Sequence, residues 1–309
     1  MAIKKIVKKA LKHFSFIWNC YCWMREHIMM VATLISPTLN VRLRYLYRYG
    51  KSINLSTPQT FIEKLNWLKL EVINKNEIYY KCADKYQVRS YIQDAGCSEI
   101  LNDLIAVYDK EEDINWGTLP DKFVLKMTDG CGCNVFCKQK STLDISATVK
   151  KMKKWRRNRE YLRYAELQNK PYYRKIIIEK FLETPDGKLP TDYKLYCFNG
   201  KVAAILVIWN RNAEGDYTDG VFMSPEWQFI SRCWGSNPYP SRPSKLVEMV
   251  EYAECLSKPF YFVRTDLYQI GNNVIFGELT FTCAGAFFLA ETPSELLDMS
   301  KLLKIPIDK

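Results

Sequence analysis

A chain of 309 residues, 48% of them hydrophobic, can bury a core large enough for two lobes, and its dispersed glycine and proline exclude a disordered chain. Eleven cysteines at irregular spacing, with no secretory cleavage pattern, read as thiols of a reducing, cytoplasmic compartment, and having only His13 and His27 leaves the body of the chain without Cys–His or Ser–His catalysis. The formal net charge of +11 is concentrated: residues 1–62 hold ten Lys/Arg and one acid, a net +9.

Along residues 1–21, Ile3, Ile6, Val7, Ala10, Leu11, Phe14, Ile17, Trp18 and Tyr21 recur at helical spacing, with Lys4, Lys5, Lys8, Lys9 and Lys12 on the other side. Continued by the apolar run from Ile28 to Ile35, this pattern suits a peripheral helix on an anionic membrane surface, and equally a helix packed on its own domain. It does not suit a spanning helix, because Arg25 and Glu26 interrupt stretches shorter than the ~20 apolar residues a bilayer needs.

Further on, Phe123-Val124-Leu125-Lys126-Met127 reads as a strand, Thr128 to Asn134 as a loop containing Gly130 and Gly132, and Val135 to Cys137 as a second strand. Glycines let backbone N–H groups approach phosphate oxygens, and Lys126 adds a point charge. Cys131, Cys133 and Cys137 invite a zinc reading, which the missing Cys-x-x-Cys partner argues against. The basic run Lys150 to Arg159 follows the helix start Asp144-Ile145-Ser146 and reads as a solvated face or a patch for a polyanionic glycan; nucleic acid is excluded by the lack of interleaved stacking aromatics.

The apolar strand Ile176-Ile177-Ile178-Glu179-Lys180-Phe181-Leu182-Glu183 turns amphipathic before Pro185-Asp186-Gly187. It could line an adenine pocket, with the backbone of Lys180 and Leu182 on the base edge and Glu183 on a ribose hydroxyl. Asp192-Tyr193-Lys194 opens a strand that turns at Asn199-Gly200, a strong hairpin signal. Finally Val263 to Tyr268 and Val274 to Thr280 read as a hairpin. If its loop is the three residues Gly271 to Asn273, Asp266 lies opposite Glu278 on one face, and an even loop would separate them. Facing carboxylates repel unless a cation sits between them, and Mg²⁺ with nucleotide phosphates is an economical choice.

The order of these phrases resembles the ATP-grasp superfamily and, within it, the TupA-like ATP-grasp family of bacterial surface-polysaccharide gene clusters. The resemblance rests on Pro58-Gln59-Thr60-Phe61-Ile62-Glu63-Lys64-Leu65-Asn66-Trp67-Leu68-Lys69-Leu70, Ala83-Asp84-Lys85-Tyr86, Pro120 to Lys126, Asp192-Tyr193-Lys194 with Cys197-Phe198-Asn199-Gly200, and Gly277-Glu278-Leu279-Thr280-Phe281-Thr282. It covers roughly Leu43 to the C-terminus. The resemblance implies that Lys85, Lys126, Gly130 and Gly132 hold ATP phosphates, and that Glu179, Lys180, Leu182 and Glu183 form the adenine and ribose segment. It also implies that Asp266, Glu278 and Thr280 hold Mg²⁺ and that Arg264, with Lys194 pointing into the cleft, steadies an acyl-phosphate. Two departures stand out: Cys131 and Cys133 replace small residues of the usual Gly-Ser-Gly-Gly loop, and Cys283-Ala284 replaces Pro-Gly.

The expected architecture is α+β, an ATP-grasp fold of two lobes sandwiching ATP. A basic helical region spans residues 1–55, a mostly helical lead-in 56–118, the small β-rich lobe 119–183, and the large lobe with the carboxylates 184–309. The implied activity is an ATP-dependent carboxylate–amine ligase of capsule, O-antigen or teichuronopeptide-like biosynthesis, joining an amino acid to a uronic acid on a glycan or lipid-linked glycan precursor at the inner face of the cytoplasmic membrane. The alternatives are a phosphotransferase on a glycan precursor or a non-catalytic component of a polysaccharide assembly complex.

Overall fold

The computed structural model describes residues 15–130, 132–171, 174–184, 187, 189–211, 217–287 and 298–308. Its helices come first. Helix α1 (Ser15–Ile35) breaks at Ser36, where Pro37 supplies the fixed φ of a new first turn, and α2 (Pro37–Tyr49) ends on Gly50 in the left-handed region at φ 72°. The lysine-rich start of the expected amphipathic helix lies outside the described residues. Where the helix is described, its faces differ from the sequence reading: Ile17 is exposed, whereas Trp18 and Tyr21 are partly covered, with the Tyr21 hydroxyl 3.1 Å from that of Tyr47. The cause is the α1–α2 pairing, which selects one face of a helix that is apolar nearly all round.

Helix α3 (Phe61–Glu71) opens with a capping box. The Thr60 hydroxyl accepts from the Glu63 N–H, and the Glu63 carboxylate accepts from the N–H groups of Thr60, Gln59 and Asn54. Helices α4 (Glu77–Ala83) and α5 (Val88–Asp94) complete the lead-in.

The small lobe starts earlier than residue 119. Strand β1 (Leu104–Tyr108) falls within the stretch read as mostly helical, yet it pairs with β4 in a sheet of order β1-β4-β2-β3, the others being β2 (Phe123–Met127), β3 (Asn134–Cys137) and β4 (Ile176–Lys180). None of its residues is fully buried, so it lacks the alternation that marks a half-buried strand. Parity then divides the sheet. Phe123, Leu125, Met127, Ile176 and Ile178 form one core with Met152 of helix α6 (Ile145–Arg156), which leaves Val124, Lys126, Ile177 and Glu179 on the opposite face. A short helix α7 (Glu160–Arg163) follows α6 and packs against α1.

The large sheet runs β10-β9-β5-β6-β7-β8, from β5 (Asp192–Phe198), β6 (Lys201–Arg211), β7 (Tyr217–Met223), β8 (Phe229–Trp234), β9 (Phe262–Ile270) and β10 (Asn273–Thr280). Asn199 and Gly200, at φ 49° and 82°, make the two-residue turn between β5 and β6. Val263, Thr265 and Leu267 are fully buried on the side of helix α8 (Leu246–Ser257). Arg264, Asp266 and Tyr268 take the other face.

The β9–β10 loop has two residues, Gly271 and Asn272, because Ile270 pairs with Asn273, so the expected three-residue loop is corrected. Such an even loop alone would set Asp266 opposite Gly277 and send Glu278 to the far face. A bulge between Phe276 and Glu278 adds the missing residue and restores Asp266 opposite Glu278. Gly277 fits the bulge because a Cβ there would lie 3.0 Å from both the Asp266 carbonyl oxygen and the Tyr268 ring.

Candidate functional site

Three neighbouring strands line up two rows of polar side chains. Lys194 of β5, Asp266 of β9 and Glu278 of β10 form one row; Tyr196, Arg264 and Thr280 form the next. Arg264 ties the rows together: Nε and Nη2 donate to the two oxygens of Asp266 at 2.6 and 2.7 Å, and Nη2 also reaches Glu278 Oε1 and Thr280 Oγ1 at 3.1 Å. Lys194 Nζ donates to Asp266 Oδ2 at 2.5 Å. Burial pushes the Asp266 carboxyl up, and Arg264 and Lys194 reverse this and hold it below its ordinary range. Asp266 is 2% exposed, whereas the Glu278 side chain is 43% exposed.

Lysines of the lead-in and of the small lobe face these rows. The Asp84 carboxylate accepts from the N–H groups of Tyr86 and Gln87, which turns the chain so that the Lys85 N–H bonds Thr128 O and Lys85 Nζ reaches Gly130 O at 2.6 Å. Gly130 and Gly132 sit at φ 77° and 72°, a left-handed path that glycine takes at little cost; Cys131 lies outside the described residues. Asp129 anchors the loop through a two-point ion pair with Arg174. Lys126 Nζ bonds Glu179 Oε2 at 2.6 Å, and Arg89 approaches the other oxygen at 3.6 Å.

The expected adenine segment has partners of its own in the structure. Glu179 is 7% exposed and positions Lys126, so its carboxylate is already occupied. The Lys180 N–H bonds Asp103 O and its carbonyl accepts from Asn102 Nδ2. Glu183 pairs with Lys122 at 2.7 Å, and Leu182 is half-buried.

A cavity of about 360 Å³ lies between the lobes, bounded by Lys85, Gly130, Arg264, Glu278 and Thr280. A smaller recess at Lys126 and Glu179 shares Lys85 and Gly277 with it. A wider cavity of about 800 Å³ adjoins it at Ala83, Gln168 and Asn169.

Other charged residues at or beside the cavity were not singled out by the sequence reading. Arg48, exposed in the last turn of α2, stands at its rim. Glu166 lines it and accepts from Thr282 Oγ1 at 2.5 Å. Lys69, fully buried, donates to the carbonyls of Tyr164 and Gly285 at 2.9 Å; burial lowers its pKa to about 7 against the pull of Glu166. A signal for Lys69 exists: Leu65, Leu68 and Lys69 share one helix face, so a lysine stands inside an apolar stripe.

The cation between the two acids in this structure is Arg264. Among the described residues no group of three or more His, Cys, Asp or Glu side chains could hold a metal. A hard divalent ion bound mainly through nucleotide phosphates needs only one or two carboxylates, and Glu278 with Thr280 meets that need; Asp266 already accepts three hydrogen bonds from Arg264 and Lys194.

A family model described as TupA-like ATPgrasp matches residues 63–299. No curated protein sequence matches the chain. Among solved structures, N5-carboxyaminoimidazole ribonucleotide synthetase in complex with ADP is 13% identical over 70% of this chain and 49% of its own, with a TM-score of 0.45. D-alanine–D-alanine ligase from Bacillus anthracis is 14% identical over 71% and 59%, TM-score 0.41. L-amino acid ligase from Bacillus licheniformis is 13% identical over 72% and 49%, TM-score 0.46. This chain thus spans about half to three-fifths of the length of those proteins.

Proposed function

Because the chain belongs to the TupA-like ATP-grasp family and has its two-lobed α+β fold, we propose that it is an ATP-dependent carboxylate–amine ligase of cell-surface polysaccharide biosynthesis. The observation that supports this best is the convergence of Arg264, Glu278 and Thr280 of the large lobe, Lys85 of the lead-in and the Gly130 loop of the small lobe on one cavity.

In this reading ATP lies in the cleft with its phosphates drawn by Lys85, Lys126 and the N–H groups around Gly130 and Gly132. Glu278 and Thr280 hold Mg²⁺, which when bound neutralises charge on the phosphates. An acceptor carboxylate oxygen attacks the γ-phosphorus, the β–γ bridging P–O bond breaks, and ADP leaves an acyl-phosphate. The lone pair of a neutral amine then attacks the acyl carbon, the C–O bond breaks to release phosphate, and the proton lost from nitrogen passes to the departing phosphate as the amide forms. Arg264, held by three partners, offers a fixed cation to the developing charge without having to reorganise. The acceptor is a uronic acid of a glycan or lipid-linked glycan precursor and the amine an amino acid, the adjoining 800 Å³ cavity giving room for a sugar. The enzyme works at the inner face of the cytoplasmic membrane.

Incubation with Mg-ATP, glucuronic or galacturonic acid and hydroxylamine tests this. The expected result is ADP release with a hydroxamate product, hydroxylamine trapping the acyl-phosphate. A sugar phosphate as the only product, with no hydroxamate, overturns the ligase reading in favour of phosphotransfer.

A further inference from the structure

Helix α1 carries an apolar stripe on the side the protein does not cover. Phe16, Ile17, Trp23, Met24, Ile28, Val31, Leu34 and Ile35 are between 48% and 79% exposed and recur every three or four residues along a helix of about 30 Å. Only Cys20 and His27 interleave with them on that face, and no Lys, Arg, Asp or Glu does. The opposite face is fixed to the protein: Met29, Ala32 and Thr33 are buried, and Thr33 Oγ1 donates to Leu162 O at 2.6 Å.

We propose that this stripe docks in the plane of an anionic bilayer surface, with α1 lying along the interface. Two observations choose this occupant. Residues 1–14 contain Lys4, Lys5, Lys8, Lys9 and Lys12 and no acid, so a partner that covers this end of the chain must accept both apolar side chains and cations. An anionic leaflet does both, whereas a second copy of the chain would cover the stripe and bring no anions to the lysines. Among the described residues no helix is long and apolar enough to cross a membrane, so the helix lies on the surface.

The docking face is coupled to the cleft. The Glu26 carboxylate on α1 binds Arg44 of α2 and Arg163 of α7, and Asn40 Nδ2 donates to Arg163 O. The next residues, Tyr164, Glu166 and Gln168, line the cavity, and Arg48 of α2 stands at its rim. The cavity wall is therefore tied to the membrane helix by direct contacts, which suits an acceptor carried on the membrane; this last clause rests on the ligase reading.

The test is sedimentation of the full chain with phosphatidylglycerol-containing vesicles and with pure phosphatidylcholine vesicles, alongside the variant Trp23→Ser, Ile28→Ser, Leu34→Ser, its fold checked by thermal melting. The parent should bind the anionic vesicles preferentially, and the variant should bind about tenfold less. Light scattering should find the two in the same oligomeric state. Equal vesicle binding by the two proteins, no binding by the parent, or a parent dimer that the substitutions convert to a monomer would overturn the proposal. The readout needs no turnover, so it stands or falls apart from the hydroxamate assay. ATP turnover on a water-soluble acceptor should be unchanged in the variant.

Discussion

Asp266 and Glu278 face each other but differ in what surrounds them, and their substitutions should differ accordingly. Glu278 is 43% exposed and bonded on one oxygen, so Glu278→Gln should leave the melting temperature nearly unchanged and lower Mg-ATP turnover by about a hundredfold, read by ADP release. Asp266 is buried between two cations, so Asp266→Asn should also destabilise by about 3–5 kcal/mol in chemical denaturation, because Arg264 and Lys194 lose the charge that balances them. A melt for Asp266→Asn as high as the parent's would refute the buried-pair account. Lys126→Met should weaken ATP binding by roughly tenfold to a hundredfold in calorimetry. Adding Glu179→Gln should not recover affinity, since the lost phosphate contact belongs to Lys126, and Glu179 keeps Arg89 as a partner in the single variant. The lysines were legible from strand ends and a glycine loop. The pairing of Lys126 with Glu179, and of Glu179 with Arg89, was not, because these residues meet only through tertiary packing.

The hairpin that carries the acids was legible as an element, since both flanks alternate and Gly271-Asn272 marks the turn. The offset between its strands was not. A bulge adds one residue without altering the alternation on either side of it, and only Gly277, a glycine inside a strand pattern, hints at it. Gly277→Val should cost about 1–3 kcal/mol, because its Cβ meets backbone at 3.0 Å, whereas a deletion of Gly277 should keep Glu278 opposite Asp266, since the pair Phe276–Leu267 would then be followed directly by Glu278–Asp266. A deletion variant that folds but has lost all turnover would show that facing acids are not sufficient and that the bulge itself shapes the site. At the α1–α7 junction, burial raises the Glu26 carboxyl, but Arg44, Arg163 and Arg25 together bring it down to about 2. A depressed acid stabilises above its unfolded pKa and loses that contribution as pH falls through the folded value. Attachment of α1 should therefore weaken between about pH 4.5 and 2. Limited proteolysis or hydrogen exchange of α1 across that window checks it, and Glu26→Gln should remove the pH dependence there.

Across the whole molecule the two lobes were legible because each is built from short strands separated by strong turn signals, and the helical lead-in announces itself through the Thr60–Glu63 box. Edge strand β1 escaped because nothing buries it fully, and the relation between the lobes escaped because no local pattern encodes a cleft. Charge across that cleft makes the last prediction. Lys85, Lys126, Arg89, Lys194 and Arg264 face Glu179, Asp266 and Glu278, five cations against three carboxylates, and Asp266 is already satisfied by two of the cations. A free divalent cation entering this field gains one accessible carboxylate and meets net positive charge, whereas Mg²⁺ arriving with a triphosphate brings an overall negative charge that the excess lysines attract. Magnesium alone should therefore bind no tighter than about millimolar, and at least about tenfold tighter once ATP is bound, in paired calorimetric titrations. Micromolar Mg²⁺ binding without nucleotide would show that Asp266 leaves Arg264 readily, and the fixed guanidinium assigned to the site would then be wrong.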